Sequence, residues 1–112
     1  MRRVGNAGAP VVDDAFGVLA HPVRRELLRR LAHREGRASD LADRLPVSRS
    51  AVSQHLRLML AVGVVAERRN GRERYYSLRR AGLVEVERWL ADLDAFWAES
   101  LQRLGEHLDA QP

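Results

Sequence analysis

The chain of 112 residues contains no cysteine and no lysine. The first absence removes disulfides, thiolate metal sites and cysteine nucleophiles together. The second leaves arginine to supply all 19 of its basic side chains. No apolar run reaches the roughly eighteen residues of a membrane span, and the opening MRRVGNAGAP lacks the apolar segment of a signal peptide. A cytoplasmic protein with no membrane partner is the expectation. A glycine-rich phosphate loop and a GxSxG elbow are also missing, and the largest share of the carboxylates, 7 of 15, falls at solvated positions of the last segment, so catalysis is not expected and no catalytic residue is assigned. From Pro46 to Leu60 there is no carboxylate at all.

Charge is divided unevenly along what should be one domain. Residues 1–43 hold 8 arginines and 6 acidic residues, residues 44–80 hold 9 and 2, and residues 81–112 hold 2 and 7. The block charges are therefore +2, +7 and −5 within a total of +4. The middle third suits a polyanion, and the last third does not.

The stretch PVSRSAVSQHLRLML, Pro46 to Leu60, is the most informative. Ser48 is a good helix N-cap, and Pro46-Val47 before it cannot continue a preceding helix. Helical spacing puts Val52, Leu56, Met59 and Leu60 on one face and Ser50, Gln54 and Arg57 roughly opposite. Hydroxyl, amide and guanidinium groups donate to phosphates and to base edges in a major groove, where an anionic side chain would be repelled.

Around this stretch, residues 1–12 read as a flexible arm and residues 13–112 as one domain. A short first helix over residues 13–20 should start at Asp13-Asp14, with Val12, Ala15, Phe16 and Leu19 following at helical spacing. Pro22 opens a second helix with Val23, Leu27, Leu28 and Leu31 on its apolar face. A third, from about Ser39 to Leu45, turns directly into the Ser48 helix, so residues 39–60 form a helix-turn-helix. Beyond Gly63 the period becomes alternating, and Asn70-Gly71 predicts a hairpin over residues 64–78 that pairs Arg69 with Arg72, Glu67 with Arg74 and Val65 with Tyr76. Its base is apolar, and its tip carries Arg68, Arg69, Arg72 and Arg74: a wing.

A last helix is expected over residues 83–108. Val86, Leu90, Leu93, Trp97, Leu101, Leu104 and Leu108 form its stripe, flanked by Trp89 and Phe96. That stripe is longer than a small domain covers alone, which predicts a dimerisation helix. The four histidines, His21, His33, His55 and His107, include no pair at i, i+3 or i+4, so neither a metal site nor a cofactor is expected. His55 reads as a partly buried structural residue.

The order HPVRRELLRRL, SDLADRLPVSRSAVSQHLRLML, GVVAERRNGRERYYSL and a long Trp-containing helix resembles the ArsR-type winged helix-turn-helix transcriptional regulators over about residues 13 to 108. The most specific matches are VSxHL at Val52 to Leu56 and RxGRExYY at Arg69 to Tyr76. The resemblance implies a mainly α fold with a small hairpin and a homodimer joined by its first and last helices, here Phe16, Leu19, Trp89, Leu90, Leu93, Phe96, Trp97, Leu101 and Leu104. It implies a repressor of double-stranded DNA with an inverted-repeat operator, released by a small-molecule inducer. It places Ser48, Arg49, Ser50, Ser53, Gln54 and Arg57 on the recognition helix and Arg68, Arg69, Asn70, Gly71, Arg72 and Arg74 on the wing. The cysteine motif with which many members sense metals is replaced by SDLADRL, and Asp92 and Asp94 lack the histidines of the other common metal site, with only Glu106 and His107 near the far end. The closest match is to the cysteine-free subset with an aromatic-rich last helix. A metal-responsive repressor using His and carboxylate ligands, or a winged module that binds protein or RNA, are the alternatives.

Overall fold

The computed structural model describes residues 14–109. The arm at residues 1–12, and Asp13 at the start of the expected first helix, lie outside the described residues. The first helix, α1, is Ala15–Leu19, capped by the Asp14 carboxylate, which accepts from the Gly17 amide at 3.0 Å. Its inward residues are Ala15 and Val18, whereas Phe16 is 38% exposed and Leu19 half-buried. Five residues make little more than one turn, so the core takes only the face that carries Ala15 and Val18.

Helix α2, Pro22–His33, begins with proline at a position that needs no amide donor, and Leu27, Leu28 and Leu31 are buried. Helix α3 is only Ala38–Leu41, shorter than the expected segment to Leu45. Arg44 there adopts the left-handed conformation, φ 62°, and Pro46 offers no amide to continue a helix. Leu41 and Ala42 are nonetheless buried as expected.

Helix α4, Arg49–Val62, starts where Ser48 Oγ accepts from the Ala51 amide at 3.0 Å. It ends at Gly63, whose φ of 94° is the left-handed stop that glycine adopts without strain. Val52, Leu56 and Met59 are fully buried in the central cluster with Val18, Leu27, Val64 and Val65.

Strands β1, Val65–Asn70, and β2, Glu73–Leu78, form an antiparallel hairpin. The register differs from the expected one: Val65 pairs with Leu78, Glu67 with Tyr76 and Arg69 with Arg74. Asn70 pairs with Glu73, so the two-residue loop is Gly71-Arg72, with Gly71 at φ 64° in the position where a II′-type turn needs glycine. The slip is by two residues, one full side-chain period, so Val65, Tyr76 and Leu78 still face inward. A bridge from Gly36 to Tyr76, with N–H···O distances of 3.0 and 2.8 Å, ties the hairpin to the segment between α2 and α3.

A 3-10 turn at Arg80–Leu83 leads into α5, Val84–Asp109. A β-carbon on Gly82 would collide with the Gly63 carbonyl and sit 2.9 Å from Val64 Cα. Two backbones touch here, and the contact sets where α5 departs. Of its 26 residues only Val86 is buried, so the helix projects from a molecule measuring 71 × 38 × 27 Å.

Gly82→Ala is expected to lower the stability of the fold by about 1–3 kcal/mol in urea unfolding, because backbone at this contact has no room to give. A variant as stable as the wild type would show that the α4 and α5 backbones can separate freely.

Candidate nucleic-acid interface

The outward face of α4 and the inner strand of the hairpin meet in an open cleft of about 310 Å³. Ser53 and Arg57 line it from α4, Arg72 and Arg74 from the wing, and Arg37 and Ser39 from the start of α3. Arg49, Ser50 and Gln54 continue the exposed face of α4 beyond the cleft. The two expected sets of residues, reading helix and wing, are thus brought to one side of the molecule.

The side chains there are not equivalent. Ser48 Oγ is engaged in the helix cap, so its hydroxyl is already accepting a bond. Ser53 is half-buried, while Gln54 and Arg57 are exposed. Arg68, assigned to the wing tip, is held elsewhere: its Nε donates to Glu35 Oε2 at 3.0 Å, its Nη2 to Glu35 Oε1, and its guanidinium lies 4.5 Å from the Tyr75 ring centroid. The paired Arg68 holds the Glu35 carboxyl below its usual range and is itself pushed up by the same bond. Glu67 lies between Arg69 at 3.9 Å and Arg74 at 4.0 Å, which reduces the repulsion of neighbouring guanidiniums. Arg72 makes no ion pair among the described residues and stands at the turn.

Sequence reasoning missed Arg37. Its Nε donates to Asp40 at 3.0 Å and its Nη1 lies 3.2 Å from Glu73, so it joins the α3 start to the wing. Those bonds raise its pKa, Asp40 contributing most. A single arginine in a connecting loop gives no periodic signal; only the folded chain places it.

Outside the cleft, Phe16 meets Trp89 edge-on at 6.1 Å between centroids, and Phe96 meets Trp97 at 5.5 Å. Leu93 is half-buried; Trp89, Leu90, Phe96, Trp97, Leu101, Leu104 and Leu108 are all exposed, Leu101 by 66%. Among the described residues, no three His, Asp or Glu side chains come together so as to hold a metal ion, and no helix is long and apolar enough to cross a membrane.

Two helices joined by a tight turn, followed by an arginine-bearing hairpin on the same side, define a winged helix-turn-helix, a DNA-binding module. A family model described as a helix-turn-helix domain matches residues 19–68. The HTH-type transcriptional regulator Rv2034 of Mycobacterium tuberculosis is 38% identical over 99 residues, which cover 88% of this chain and 90% of that protein. A transcriptional repressor SmtB homolog of Synechocystis sp. is 42% identical over 79 residues, 70% of this chain and 60% of that protein. The solved ArsR-like transcriptional regulator from Rhodococcus sp. RHA1 superposes with a TM-score of 0.63 at 34% identity, covering 86% of this chain and 91% of that one. The chain belongs to the ArsR/SmtB family of winged helix-turn-helix transcriptional regulators, which are DNA-binding proteins and not enzymes.

The arginines of the wing are expected to separate in their effects. Arg72→Ala should weaken binding to all duplexes alike and lower the slope of log affinity against log salt by about one, the signature of one lost phosphate contact. Arg68→Ala should leave that slope unchanged, because Glu35 already neutralises its guanidinium. Equal slopes for the two variants would show that Arg68 leaves Glu35 for phosphate.

Proposed function

We propose that this protein is a cytoplasmic homodimeric repressor that binds an inverted-repeat operator in double-stranded DNA, with one α4 helix in each of two major grooves. Arg49, Ser50, Ser53, Gln54 and Arg57 face the DNA from the helix, and Arg69, Arg72 and Arg74 contact the flanking backbone, while Asn70 and Gly71 shape the tip. Ser48 serves chiefly as the cap that orients the first turn.

The observation that carries this reading is the uncovered stripe on α5. An exposed run of two tryptophans, a phenylalanine and four leucines on one projecting helix is the kind of surface that marks an interface. Its spacing also suits self-association. The steps from Val86 to Leu108 are 4, 3, 4, 4, 3 and 4, which read the same in both directions about Trp97. Two copies laid antiparallel would therefore set Leu93 against Leu101 and Leu90 against Leu104, with Trp97 of each copy at the two-fold axis. A dimer of this kind carries two reading helices related by the same axis, so half-sites should lie about one helical turn apart, roughly 10 base pairs or somewhat more.

Sedimentation at micromolar concentration should give a dimer, and Trp97→Glu should shift it to monomer and remove footprints on the selected operator. A wild-type monomer that binds its operator tightly, or a protected region without a dyad, overturns the symmetric reading. Gln54→Ala should cost about 1–3 kcal/mol on the preferred duplex while leaving random DNA nearly unaffected. An equal loss on both would remove Gln54 from base readout.

A further inference from the structure

Arg24 is the buried charged side chain among the described residues, 8% exposed. A guanidinium persists in such a place only where its donors find acceptors. Its Nε donates to the Val18 carbonyl at 3.1 Å and its Nη2 to the Gly17 carbonyl at 3.2 Å, adding to the long backbone bonds that these carbonyls accept from His21 and Ala20 at the end of α1. Its Nη1 lies 3.3 Å from Nδ1 of His55 on α4. Since guanidinium has no acceptor, His55 Nδ1 must be the acceptor, and the neutral ring then carries its proton on Nε2.

His55 is in turn packed against His21, with ring centroids 4.6 Å apart. His21 Nδ1 accepts from the Val23 amide at 3.2 Å and so caps α2. The bond that His55 Nδ1 accepts from Arg24 needs an unprotonated nitrogen there, so the contact favours the neutral His55 ring. The charged or titratable groups facing His55 are Arg24 and His21 from α2 and its cap; α1 brings the Gly17 and Val18 carbonyls. Through Phe16 against Trp89, α1 also touches α5. Arg24 therefore stands between the apolar face of the molecule and the residue beside Gln54.

We propose that Arg24 is a positioning residue for the reading helix, acting through His55, and that protonation of His55 releases α4 from α1 and α2, so that operator affinity falls on acidification. This rests on the reading of α4 as the DNA-contacting helix. Burial first, then the charges of His21 and Arg24, hold His55 below the ordinary histidine range. The packed arrangement binds fewer protons than the released one. It is favoured above the ordinary histidine pKa of about 6.5 and lost as pH falls through the lower packed-state value. The sign is diagnostic: acid adds positive charge to the protein, which by itself tightens binding to a polyanion.

Anisotropy on the duplex selected at neutral pH, at constant salt from about pH 8 to about pH 5.5, tests the proposal. The wild type should lose affinity progressively as pH falls across this range. His55→Gln, which keeps an acceptor that does not titrate, should give a flatter profile. Arg24→Lys, which cannot reach three acceptors, should weaken binding already at about pH 8. Without DNA, the amide resonances of residues 54–57 should follow the His55 titration in the wild type and not in His55→Gln. Affinity that holds or rises on acidification, or α4 amides indifferent to His55, overturns the proposal. If the wild type binds no duplex at any pH, the DNA reading fails, while the amide titration still decides whether His55 holds α4.

Discussion

The seating of α4 is the constraint on which the rest depends. Val52, Leu56 and Met59 are fully buried, and burying side chains of this kind removes from water an area worth about 1.5–3 kcal/mol each. Because those three positions must face inward, helical geometry forces Ser50, Gln54 and Arg57 to face outward. Reading face and core face are two sides of one element, so neither can be moved alone. The Ser48 cap and the left-handed Gly63 then fix the ends of the helix.

Electrostatics divides labour among the arginines. Those with carboxylates placed on them, Arg37 and Arg68, brace the wing: one joins Asp40 to Glu73, the other joins β1 to Glu35 before α3. Arg57 and Arg72 make no ion pair among the described residues and keep their donors for a polyanion. Exposed ion pairs contribute little to stability, and their weight here lies in geometry. They hold the hairpin at a set angle to α4, together with the backbone bridge between Gly36 and Tyr76.

A second layer of constraint joins the helices that do not read to the one that does. Gly82 against the Gly63 carbonyl sets the departure of α5 directly behind the end of α4. Arg24 gathers α1 and α4 onto α2 with three donors from a single buried group. Side chains that link elements in this way transmit small displacements, because packed interiors shift between discrete arrangements and do not deform smoothly.

Much of this was legible in the residues alone. Periodicity and capping located α2, α4, the hairpin and α5, since an apolar stripe at helical spacing and a serine cap are local signals. The charge of the middle third pointed to a polyanion for the same reason. The register of the hairpin was not legible: Asn70-Gly71 announces a turn, yet whether glycine takes its first or second central position depends on how β2 packs against Gly36 and the core. Nor was the separation of Arg68 from Arg72, because Glu35 lies thirty-three residues away along the chain. Arg24 inward and His21 against His55 were likewise decided by tertiary packing. The sequence by itself determined which segments are helices, which face of each is apolar and where positive charge collects, because those depend on neighbours within a turn or two. Only the tertiary structure decided which polar groups are partnered and which stand free, because partnership depends on distances between segments that local periodicity does not encode.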